Sequence, residues 1–162
     1  MRIDWGRLGG WLLVVALVAW FLALREGRVE QWLKADRVVE VRALVSVPDC
    51  DVSASPCVAR GEGIAVRVAI GPGVTPMSRF PIRVEVDEGG PWDRVVAEFT
   101  MPQMNMGENR FLLEKGEVGW QGEGVLPFCV SGRSEWILTL DLEQGDSVWR
   151  GRFPFRADRP AL

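Results

Sequence analysis

The sequence predicts a mainly β protein: an antiparallel β-sandwich of about seven or eight strands behind one N-terminal transmembrane helix. Three observations predict it. An uncharged run, LGGWLLVVALVAWFLAL, occupies Leu8 to Leu24. Beyond Arg37 the apolar residues recur with a period of two, the pattern of strands with one buried and one wet face. Breaks rich in Gly, Pro and Asp separate these segments at intervals of roughly 8 to 15 residues, as in all-β domains with many short strands.

As a helix, Leu8 to Leu24 would extend about 25 Å at about 1.5 Å per residue, close to the roughly 30 Å hydrocarbon core of a bilayer. Trp5, Trp11 and Trp20 can place indoles near the two interfaces. Residues 1–7 then form a short cytoplasmic tail and residues 8–25 an anchor in the lipid bilayer. A cleaved signal peptide is the competing reading, but a cut after Ala23 would put bulky Phe21 where a small residue belongs. A buried soluble helix is the third. Arg2 and Arg7 precede the run, whereas Arg25, Arg28, Lys34 and Arg37 follow it, and that count alone favours a cytoplasmic C-terminus. The signal-like position of the run and the cysteines favour the opposite: a single-pass protein of the bacterial inner membrane with its C-terminal domain in the periplasm.

Residues 26–37 place Val29, Trp32 and Leu33 on one helical face, giving a short juxtamembrane helix or an extended stalk. The domain follows at 38–157, with a tail at 158–162. Strands are expected at 38–46, 64–70, 82–86, 94–101, 110–114, 119–127, 135–143 and 147–155. In IAVRVAI, Ile64, Val66, Val68 and Ile70 share a face and Arg67 lies on the other. GPGVTP at 71–76, DEGGPWD at 87–93, GENR at 107–110, EKGE at 114–117, SGRSE at 131–135 and EQGD at 143–146 carry turn chemistry. Trp120, Trp136 and Trp149 fall within late strands and are candidate core aromatics.

The formal charge is −3 and no long basic run follows the first helix, so nucleic-acid binding is not expected. Histidine and tyrosine are absent. Without histidine there is no Ser-His-Asp or Cys-His nucleophile arrangement, and no usual zinc or type-2 copper ligand set. GEGIAV and GEGVLP lack the spacing of a phosphate loop and lead into strand patterns. The chain is therefore read as a binding protein and not an enzyme.

Two segments carry candidate site residues. PDCDVSASPC puts Cys50 and Cys57 in a loop rich in Asp, Ser and Pro, where they can close a small disulfide ring. Cys129 can instead pair with either of them, stitching the two halves of the domain together. One disulfide leaves one thiol, which is inert, pairs between chains or binds a soft metal. MPQMNMGENR gathers Met101, Met104 and Met106. Thioethers suit Cu(I), although in an extended segment Met104 and Met106 point one way and Met101 the other unless Pro102 bends the chain. Packing into irregular gaps of a core is the alternative role for these methionines. Asn105 and Asn109 flank Gly107 and can form an Asx-type turn, with Arg110 pinning it.

MPQMNMGENR, followed by the late strand segment SVWRGRFPF, resembles membrane-anchored, Ig-like domains of the FixH and YtkA-like kind. CDxSxxPC, MNMGxNR and LPxC are also similar to elements of short proteobacterial proteins; here they are Cys50 to Cys57, Met104 to Arg110 and Leu126 to Cys129. The resemblance implies one N-terminal span and an Ig-like β-sandwich outside the cytoplasm. It implies a non-catalytic accessory or interaction module in membrane-complex assembly, an oxidase among the possible complexes, with a membrane-protein partner. The alternative that it implies is a Cu(I) chaperone or carrier using Met101, Met104 and Met106.

Overall fold

The computed structural model describes residues 14–21, 39–87, 90–102, 104–105, 107–128 and 133–157. The chain divides into two compact units, Met1–Val38 and Val39–Leu162. The described part of the first is an α-helix at 14–21 that exposes Val14, Val15, Leu17, Val18, Trp20 and Phe21. Among the described residues no helix is long and apolar enough to cross a membrane. To that extent the expected transmembrane helix at 8–25 is corrected: the described helical residues, 14–21, cover about 12 Å at about 1.5 Å per residue, against a roughly 30 Å core. The remainder of that segment, the tail at 1–7, the stalk at 26–37 and the tail at 158–162 lie outside the described residues.

The second unit is built from strands. Among the described residues there are nine: β1 (Glu40–Ser46), β2 (Cys57–Gly61), β3 (Ile64–Ile70), β4 (Arg79–Asp87), β5 (Arg94–Thr100), β6 (Arg110–Lys115), β7 (Trp120–Val125), β8 (Glu135–Gln144) and β9 (Ser147–Arg156). Alternation decides which residues enter the core. β3 buries Ile64, Val66, Val68 and Ile70, and β8 buries Trp136, Leu138, Leu140 and Leu142. β9 buries Trp149, Gly151, Phe153 and Phe155 while its arginines point outward. Phe99 of β5 is the hub of the aromatic packing, with ring centroids 5.5 Å from Phe80, 5.8 Å from Phe111 and 6.0 Å from Phe155. Edge-to-face pairs of this kind contribute about 0.5–1.5 kcal/mol each beyond their buried area. Gly124 of β7 completes the fit: a Cβ there would lie 2.9 Å from the Phe80 ring.

The strands close into a barrel in the order β1-β2-β3-β4-β7-β6-β5-β8-β9, which corrects the expected Ig-like sandwich. Two strands change neighbours along their length and seal the sides that a sandwich leaves open. β1 runs parallel to β9 from Glu40 to Leu44, then pairs antiparallel with β2 through Val45 and Ser46. β6 begins against β5, Arg110 opposite Glu98, and ends against β7 through Glu114 and Lys115. Strands that switch layers in this way make the corners of a closed β structure.

Strand direction sorts the connections. The loop at 47–56, the loop at 71–78, the segment 101–109 and the β7–β8 connection all emerge at one end of the barrel, where β9 also finishes. The turns at 62–63, 116–119 and 145–146 and the β4–β5 connection lie at the other. The described residues of CDxSxxPC, MNMGxNR and LPxC therefore lie at or next to the first set, called the loop end below.

Candidate functional site

The loop at 47–56 is a built element. Cys50 and Cys57 are joined by a disulfide, with Cα atoms 5.8 Å apart. Of the pairings left open by the sequence, the structure has this one; Cys129 lies outside the described residues. Asp51 and Ser53 explain the polar positions of the motif. Asp51 Oδ1 accepts from the Ser53 backbone N–H at 2.9 Å and from its hydroxyl at 2.6 Å. Asp51 Oδ2 accepts from the Arg156 backbone N–H at 3.3 Å, tying the ring to the end of β9. Val52 is 1% exposed, and its carbonyl accepts from Ile70 N–H at 3.3 Å.

The methionine segment is also closed upon itself. Met101 continues the inward register of Val95, Ala97 and Phe99 and is 5% exposed. At Pro102 the chain turns tightly, so Met101 and Met104 form an antiparallel bridge in which Met104 N–H donates to the Met101 carbonyl at 3.4 Å. Met104 is half-buried and packs against the core. Met106 lies outside the described residues. Of the expected Cu(I) set Met101, Met104 and Met106, the structure places Met101 in the core, because the β5 register carries it inward, and Met104 half-buried against it. Among the described residues there is also no group of three or more His, Cys, Asp or Glu able to hold a metal.

Beyond this turn, Asn105 Oδ1 accepts from Gly107 N–H at 2.9 Å, and Gly107 takes φ 76°, where glycine alone is unstrained. The Asn109 carbonyl accepts from Phe99 N–H at 2.9 Å, which returns the chain to β5. Asn109 Nδ2 is buried with no hydrogen-bond partner among the described residues. Arg110 opens β6 and is exposed.

Between these two elements lies a cleft of about 370 Å³. Residues 49–51 of the disulfide ring form one wall. Pro102, residues 135–137 of β8 and residues 154–156 of β9 complete it. The structure thus brings Cys50 and the methionine turn to one site, while the cleft is not lined by Asn105, Gly107, Asn109 or Arg110. Asp49, Glu135, Ile137, Pro154 and Arg156 escaped the sequence reading. The visible signal for one of them was the proline in RGRFPFR, since proline inside a strand marks an edge. β1 leaves β9 after Gly151, so among the described residues the last part of β9 has no strand on that side. Arg156 N–H points across this edge to Asp51. Pro154, two residues earlier and so aligned the same way, offers no N–H there.

The rim is charged and the floor apolar. Ile137 lies directly opposite Pro154, and Trp136 and Phe155, 1% and 4% exposed, close the site from below. Glu135 stands opposite Arg156, with Nη2 3.5 Å from Oε1 and both side chains largely exposed. Asp49 is exposed at φ 58°, with no hydrogen bond or ion pair among the described residues.

Two-point ion pairs lie elsewhere. Arg150 grips Asp141 through two bonds of 2.7 and 2.8 Å, and Arg94 grips Glu143 through two of 2.9 and 3.0 Å. Both guanidiniums are held above their ordinary pKa, first by these hydrogen bonds. The cleft therefore offers shape, an apolar floor and a mostly anionic rim: the means to bind a side chain. Comparisons of the sequence with protein-family models and with curated proteins, and of the fold with solved structures, returned no match.

Proposed function

We propose that the barrel is a non-catalytic binding module, an accessory protein that holds a polypeptide partner at its loop end. The observation that carries this reading is the cleft: the disulfide ring, the turn after Met101 and the ends of β8 and β9 meet around one apolar floor. Pockets with apolar linings and a few fixed polar groups are the usual places for recognition. The reading agrees with the accessory role in membrane-complex assembly that the FixH and YtkA-like resemblance implies.

Photo-crosslinking in native cells tests it. A photoreactive residue at Ala54 or Phe128, both exposed at the loop end, is expected to capture the same polypeptide. A photoreactive residue at Val118, exposed at the opposite end, is expected to capture none of it. Equal capture from both ends, or none from the loop end, overturns the proposal.

A further inference from the structure

We infer that the cleft takes a basic residue flanked by aliphatic side chains on the partner; this rests on the binding-module reading of the same end and names its ligand chemistry. Charge complementarity is the first argument. Among the described residues that line the cleft, Asp49, Asp51 and Glu135 stand with a single guanidinium, that of Arg156. Asp51 lines the cleft as well, with its carboxylate engaged in holding the ring. Asp49 has no partner among the described residues. The Glu135–Arg156 pair is open to solvent, and such pairs hold weakly, so an incoming cation can take Glu135 at little cost.

The floor supplies the second argument. Ile137 and Pro154, opposite each other on β8 and β9, line the same cleft as those carboxylates. A lysine or arginine reaches both, because its methylene stem covers apolar surface while its head meets the rim. An acidic ligand would meet, among the described lining residues, one guanidinium and three carboxylates.

The β9 edge supplies the third. A partner could in principle add a strand where β9 extends past β1. Pro154 has no N–H to offer, and Arg156 N–H is already taken by Asp51. The edge is blocked, leaving side-chain recognition in the cleft.

The test uses the full chain, labelled with nitrogen-15, and three capped peptides that differ only in the residue between two leucines: lysine, glutamine or glutamate. The lysine peptide is expected to shift the amides of residues 49–51, 135–137 and 155–156, and more salt is expected to weaken it. Asp49→Asn and Glu135→Gln, both at exposed positions outside the ring's hydrogen bonds, are each expected to weaken it about two- to fivefold. Stronger shifts with the glutamate peptide, no shift with any peptide, or an undiminished lysine response in the double variant would each overturn the inference. Crosslinking from Ala54 separates the two readings. If capture survives in the double variant, the basic ligand is wrong and the module stands; if the wild-type chain captures nothing, the module reading itself fails.

Discussion

Met101 and Asp141 show how burial sets what a residue does. Met101 sits in a motif whose thioethers suit a soft metal, but its β5 register sends it into the core at 5% exposure. Met101→Ala is expected to cost about 2–3 kcal/mol in urea unfolding, and Met101→Leu under about 1.5, as for a packed side chain. A ligand methionine at the surface would show almost no loss with either. Asp141 is 4% exposed although its strand position faces outward, and Arg150 meets it with both nitrogens. Removing the two partners should not be equivalent. Arg150→Met leaves a buried carboxylate unpaired and is expected to cost about 2–3 kcal/mol, discounted because the Arg150 side chain is itself 44% exposed. Asp141→Asn keeps a hydrogen-bonding group and frees a guanidinium that water can reach, so about 1 kcal/mol is expected. The raised pKa of Arg150 gives the sign with pH: its contribution is fully present below the unfolded guanidinium value and is lost only in strong alkali, so it stays constant through the neutral range.

At the level of elements, the disulfide ring has the largest leverage on the site. Cys57 is fully buried and begins β2, while Cys50 lines the cleft. On the loop-entropy account a ring of this size contributes about 2.5 kcal/mol. The double variant Cys50→Ala, Cys57→Ala is therefore expected to unfold at clearly lower urea concentration than wild type, with lysine-peptide binding lost first because residues 49–51 form the wall. Equal stability of the oxidised protein and the double variant would show that the ring contributes nothing. The eight strands expected from alternation are all present, because alternation reports directly which face is buried. β2 was missed: CVARG is short, and the Pro and Ser before it read as loop. It is a strand because Cys57 and Ala59 pair with Val68 and Val66, partners remote in sequence. The cleft was half legible. PDCDVSASPC and the methionine segment were singled out as sequence, but nothing local says that they flank the same ends of β8 and β9.

At the scale of the whole molecule, closure was the least legible feature, since a period of two specifies facing and leaves neighbours unspecified. A sandwich and a barrel share the same alternation; here they differ by where β1 and β6 change partners. Those seams are short. β8 and β9 pair through ten residue pairs, whereas β1–β2 and β6–β7 each have two. Local opening begins where few hydrogen bonds and little packing must be given up. Amide exchange is therefore expected to be slowest in β8 and β9, intermediate at Glu40–Leu44 of β1, and fastest at Val45, Ser46, Glu114 and Lys115. The intermediate class decides the architecture: parallel pairing with β9 should protect the start of β1 well above an unpaired strand. If Glu40–Leu44 exchange as fast as the loops, β1 is not part of the wall, and the barrel opens into two separate sheets.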